Sequence, residues 1–120
     1  MKYLLLIHTP DPNSQAPGCD APTVEEFMAY HKTITDAGVV LESNALDVEH
    51  ATSVEVRDGE RVVTDGPFAE TREQLGGYYL VEAKNLDEAI GLAAKVPSAK
   101  IGTIEVRPVV EMGQQAVAAN

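Results

Sequence analysis

Three histidines, His8, His31 and His50, are the side chains of this chain that change charge near neutral pH. Each suits proton transfer if a cleft holds it. His31 falls four residues after Phe27 and three before Ile34, a helical spacing. It reads either as a half-buried histidine bonded to a neighbour or as a general base facing a cleft. Asp65 opens the run Asp65-Gly66-Pro67. As a turn residue its carboxylate would accept a backbone N–H two residues on. As a functional residue it would orient His31 or take a substrate proton, the logic of a base held by an acid. His8 ends an apolar run, which puts it at a pocket mouth or on a solvated rim. His50 reads as surface. Arg72 would hold a substrate carboxylate in a bidentate fork, or pair with Glu70. Tyr78 and Tyr79 alternate along one strand, so one faces the helices and the other faces away. Either phenol serves packing with a satisfied hydroxyl, or substrate binding.

Other chemistries lack their residues. The histidines show no H-x-H or H-x-x-x-H spacing, and the one cysteine, Cys19, makes no metal pattern. Neither a metal nor a cofactor is expected. No G-x-G-x-x-G, Walker loop or G-x-S-x-G occurs. The 19 acids against 9 lysines and arginines give a net charge of −10. That balance excludes nucleic acid as a partner, because a phosphate-backbone binder needs a basic footprint. It also disfavours anionic membrane surfaces, and no apolar run is long enough to span a bilayer. A single cysteine fits a cytoplasmic location.

The elements that would position these residues can be read along the chain. At 120 residues it is one domain, read as residues 1–110 followed by a fraying tail, 111–120. Lys2 to His8 reads as a buried strand, and residues 9–21 as a long surface loop. Thr23 and Glu26 form a capping box that opens a helix, and Gly38 closes it. Phe27, Met28, His31, Ile34 and Thr35 would make its apolar face. Val39 toward Leu46 is a second strand. Thr52–Arg57 and Glu60–Thr64 are the arms of a hairpin about Asp58-Gly59, with Val54 opposite Val63. Leu75 to Ala83 is a further strand, with Gly76-Gly77 marking a bulge or a close backbone approach. Asn85 caps a second helix striped by Leu86, Ala89, Ile90 and Ala93, and Pro97 ends it. Thr103 to Val109 is the last strand.

The fold class is therefore α+β, a ferredoxin-like split βαβ frame with an inserted β-hairpin strand. Two helices cover one face of such a sheet. Yet Tyr3–Ile7 and Tyr78–Val81 are apolar on both faces, so a second copy should cover the other, giving a homodimer.

The block Thr64-Asp65-Gly66-Pro67-Phe68-Ala69-Glu70-Thr71-Arg72-Glu73-Gln74-Leu75-Gly76-Gly77-Tyr78 resembles the signature of the DGPF branch of the YCII-related proteins. The opening Met1–Ile7 and the closing Glu105-Val106-Arg107-Pro108 resemble the same family, so the likeness spans roughly residues 1–110. The resemblance implies a ferredoxin-like fold in a dimeric α/β-barrel, with no settled reaction. It carries a helix-1 histidine onto His31 and implies a His–Asp site, with Asp65 as the acid here. Many YCII-type proteins have an Asp before the proline that follows the second helix. This chain has Val96-Pro97 there, so either Asp65 substitutes or the His–Asp chemistry is absent from this branch. Two functions follow as expectations. One is a small cofactor-independent enzyme moving a proton on a small organic acid or aromatic substrate, with His31 and Asp65 catalytic and Arg72, Tyr78 and His8 binding. The other is a non-catalytic ligand-binding or partner module, because resembling proteins are often encoded beside extracytoplasmic-function sigma factors.

Overall fold

A computed structural model describes residues 1–10, 22–66 and 73–111. Cys19, Phe68, Glu70, Arg72, most of the 9–21 loop and the tail from 112 onward lie outside the described residues. The elements are β1 (Lys2–Pro10), α1 (Val24–Asp36), β2 (Val40–Ala45), β3 (Thr52–Arg57), β4 (Glu60–Asp65), β5 (Glu73–Glu82), α2 (Leu86–Ala94), a 3-10 turn (Pro97–Lys100) and β6 (Thr103–Pro108). Their order and type follow the reading above. Several boundaries differ: β5 runs from Glu73 to Glu82 rather than from Leu75 to Ala83, so β1 continues past His8 to Pro10, pairing Thr9 with Gln74 and Pro10 with Glu73, while β4 reaches Asp65 and β6 stops at Pro108.

Local signals account for the ends. The Thr23 hydroxyl accepts the Glu26 N–H at 3.1 Å, and the Asn85 side chain accepts the Glu88 N–H at 3.0 Å. Asp58 (φ 54°) and Gly59 (φ 76°) both take positive φ, which the two-residue hairpin turn demands, and Val54 does face Val63.

Four strands form an antiparallel sheet in the order β2-β5-β1-β6, compatible with a ferredoxin-like fold. The register between β1 and β5 shifts at Gly76, the bulge that Gly76-Gly77 announced. A Cβ on Gly77 would stand 3.0 Å from the Asn44 carbonyl oxygen, so the close approach of β2 also needs a glycine there. Tyr3, Leu5 and Ile7 of β1 and Val81 of β5 are buried beneath Tyr30 and Ile34 of α1 and Ala89 and Ala93 of α2. The alternate residues Leu4, Leu6, Tyr78 and Leu80 lie on the opposite face and are only half-buried. Among the described residues β3 and β4 pair with each other and with no other strand, so they form an arm of their own.

The helix faces differ from expectation. α1 buries Tyr30 and Ile34 with Phe27 beside them, whereas Met28 is 63% exposed and His31 and Thr35 are exposed too. Both stripes share Phe27 and Ile34, and successive residues turn by about 100°, so Tyr30 and His31 compete for the inner side. Tyr30 wins because its ring meets Tyr79 edge-on at 5.6 Å and its hydroxyl donates to the Leu92 carbonyl at 3.0 Å. On α2 only Ala89 and Ala93 of the expected stripe are buried, and Leu86 and Ile90 are exposed.

Candidate active site

His31 stands on the flank of α1, over the helix-covered face of the sheet. Its Nδ1 lies 2.9 Å from the Tyr79 hydroxyl, and the two rings are tilted with centroids 5.9 Å apart. Tyr79 projects from β5 opposite Leu5, on the core side of the sheet. Burial raises its pKa above the ordinary phenol value, so the hydroxyl is neutral at physiological pH. Tyr30 is raised further, by burial first and by Tyr79 second. Tyr79 is thus fixed from two sides, by the Tyr30 ring and by His31. Among the described residues the other ring nitrogen of His31, Nε2, has no hydrogen-bond partner.

Asp65 lies at the end of β4, in the arm, where its backbone pairs with Thr52. No hydrogen bond or ion pair joins it to His31 among the described residues.

His8 and Tyr78 occupy the opposite face of the sheet from His31. His8 Nε2 is 3.1 Å from Glu105 Oε1, and Arg107 donates to Glu105 Oε2 at 2.6 Å. These two hydrogen bonds, from His8 first and Arg107 second, hold the Glu105 carboxyl below the usual range. The Tyr78 hydroxyl accepts from the Asn44 amide at 2.8 Å. A polar cluster therefore flanks Leu4, Leu6 and Leu80 on this open face. His50 is exposed and bonds Asp47 at 2.8 Å in its own turn. The four described candidates do not converge: His31 is on one sheet face, His8 and Tyr78 are on the other, and Asp65 is in the arm, while Arg72 lies outside the described residues.

Four residues escaped the sequence reading: Tyr79 beside His31, Glu105 and Arg107 beside His8, and Asn44 beside Tyr78. The alternation of Tyr78 and Tyr79 was the one available signal, since it aimed a phenol at the helices. A separate groove of about 250 Å³ opens between α2 and β6. Its lining is Ile90, Ala93, Ala94, Ala99, Ile104 and Val106, so it offers no group for proton transfer. No described helix is long and apolar enough to cross a membrane.

Chemically, the His31–Tyr79 pair has two tautomeric arrangements. With Nδ1–H donated to the phenol oxygen, Nε2 presents a lone pair and acts as a base. With the phenol donating to Nδ1, Nε2 carries the proton and can donate a hydrogen bond. A neutral tyrosine serves both, which a carboxylate partner would not.

Comparison with known proteins bears on this geometry. A family model for the YCII-related domain matches residues 1–113. An uncharacterized protein, R00369, of Rhizobium meliloti (strain 1021) is 52% identical over 52 residues, a stretch that covers 42% of this chain and 42% of that one. The match thus spans under half the length of that curated relative.

Proposed function

This chain belongs to the YCII-related family, and from that premise and the geometry at His31 we propose that it is a cofactor-independent proton-transfer enzyme acting on a small organic acid or aromatic substrate. The observation that carries the reading is the 2.9 Å contact between His31 Nδ1 and the Tyr79 hydroxyl, with Nε2 unpartnered among the described residues and so able to meet a substrate. Tyr79 is the positioning residue in place of the expected Asp65. Its ring, held edge-on by Tyr30, orients the imidazole as a carboxylate does in a His–Asp pair. Arg72 remains the candidate for a substrate carboxylate.

The proposed assembly is a ferredoxin-like homodimer closed through the open sheet face. Leu4, Leu6 and Leu80 are the apolar centre that supports it, and His8, Glu105, Arg107, Tyr78 and Asn44 would be enclosed in that interface, on the face opposite His31.

The alternative is a non-catalytic ligand-binding module, the reading compatible with a sigma-factor setting. It is favoured by one observation, the lack of a carboxylate beside His31 among the described residues.

A panel of small carbonyl acids and phenols in D2O, followed by proton NMR, separates the two. The enzyme reading expects one class to exchange a carbon-bound proton. His31→Gln should slow that exchange by about 100-fold or more, the usual contribution of a positioned base. Ligand-induced shifts without exchange in the wild type would overturn it in favour of the binding module.

A further inference from the structure

The arm carries an unusual combination of charge and exposure. One face of the β3–β4 ribbon bears Thr52, Val54 and Val56 on β3 and Arg61, Val63 and Asp65 on β4. Its three valines are 59%, 63% and 57% exposed, in the order Val54, Val56, Val63. Every residue of β4 is exposed, and neither helix packs on it. On the other face Arg57 is already paired with Glu55 at 3.4 Å. Arg61 and Asp65, by contrast, have no side-chain hydrogen bond or ion pair among the described residues.

The order along β4 on this face is cation, valine, anion. That order is its own complement when reversed. A twofold axis lying between two stacked ribbons, perpendicular to their strands and passing the Val54–Val63 row, sets β4 antiparallel over β4. Val63 then meets Val63, and Arg61 of each copy meets Asp65 of the other. On β3, Val54 meets Val54 and Val56 lies over Thr52. An isologous contact needs this kind of self-complementarity, and no like charges are opposed in it.

We propose that this face of the arm is a self-association surface, and that its occupant is the same face of a second copy of this chain. The arm leaves the four-stranded sheet untouched, so the contact is separate from the sheet-face dimer and doubles whatever assembly the body makes. Asp65 has its partner there, across the twofold axis. Small apolar ribbons are weak alone, and two such contacts made together between two dimers reinforce one another.

Sedimentation velocity across a dilution series tests this on the full chain. The wild type should reach twice the mass of Val63→Asp, a variant that removes no buried side chain. Arg61→Asp and Asp65→Arg should each halve the mass, and the double variant Arg61→Asp/Asp65→Arg should restore it. Equal masses for the wild type and Val63→Asp would overturn the proposal. A double variant no heavier than its singles would overturn the antiparallel pairing on which it rests. The mass of Val63→Asp itself reports separately on the sheet-face dimer: two chains support that assembly, and one chain refutes it while leaving the arm contact to be judged by the ratio.

Discussion

The molecule contains two β-structures that look alike in sequence and differ in surroundings. β5 and β1 carry apolar residues on both faces, and two helices cover one of them. β3 and β4 carry four valines, Val54, Val56, Val62 and Val63, yet the arm they form buries none of them. β-propensity is met in both, because both are antiparallel ladders, bulged at Gly76 in the sheet and unbroken in the arm. Burial is met in one. Strand formation and core formation are therefore separable here: backbone pairing and the Asp58-Gly59 turn suffice for the arm, and the helices decide where the core lies.

Substitution can sharpen that contrast. The largest effect should come from Leu5→Ala, at a fully buried position on the helix-covered face, with about 2–5 kcal/mol lost in urea unfolding. Next is a swap made identically in both regions. Val81→Thr places a hydroxyl in the core with no partner and should cost about 1–3 kcal/mol. A smaller effect is expected on the open face. The Glu105 carboxyl is held below its ordinary range, so its contribution to stability is present above that range and fades as pH falls through the lowered value. Thermal unfolding should thus weaken slightly more on acidification in the wild type than in Glu105→Gln, and salt should shrink the difference. The smallest is Val62→Thr, at an exposed position on the arm's second face, expected within about 0.5 kcal/mol of the wild type in the same assay as Val81→Thr. Equal costs for the two valines would break the contrast between the regions.

The same comparison explains what could be read beforehand. Capping residues, the Asp58-Gly59 turn, the Gly76 bulge and the Val54–Val63 register are set by neighbours in sequence, and all were legible. The roll of α1 was not. Phe27 and Ile34 define two overlapping stripes, and a ring 49 residues downstream of Tyr30, Tyr79, chooses between them. The site was obscured for the same reason. His31 could be singled out as a proton-transfer residue, but its partner depends on which face of β5 passes beneath α1. Asp65 looked suitable by type, and its place in the arm follows from the hairpin extending as a separate two-stranded sheet.

The central claim is that Tyr79, rather than Asp65, sets the state of the His31 ring. The most direct test is the long-range proton–nitrogen NMR spectrum of the His31 imidazole, which reports the populations of its two neutral tautomers. It should be recorded for the wild type, Tyr79→Phe and Asp65→Asn. The geometry predicts that Tyr79→Phe redistributes the tautomers and that Asp65→Asn leaves them as they are. A tautomer balance that responds to Asp65→Asn and ignores Tyr79→Phe would contradict it.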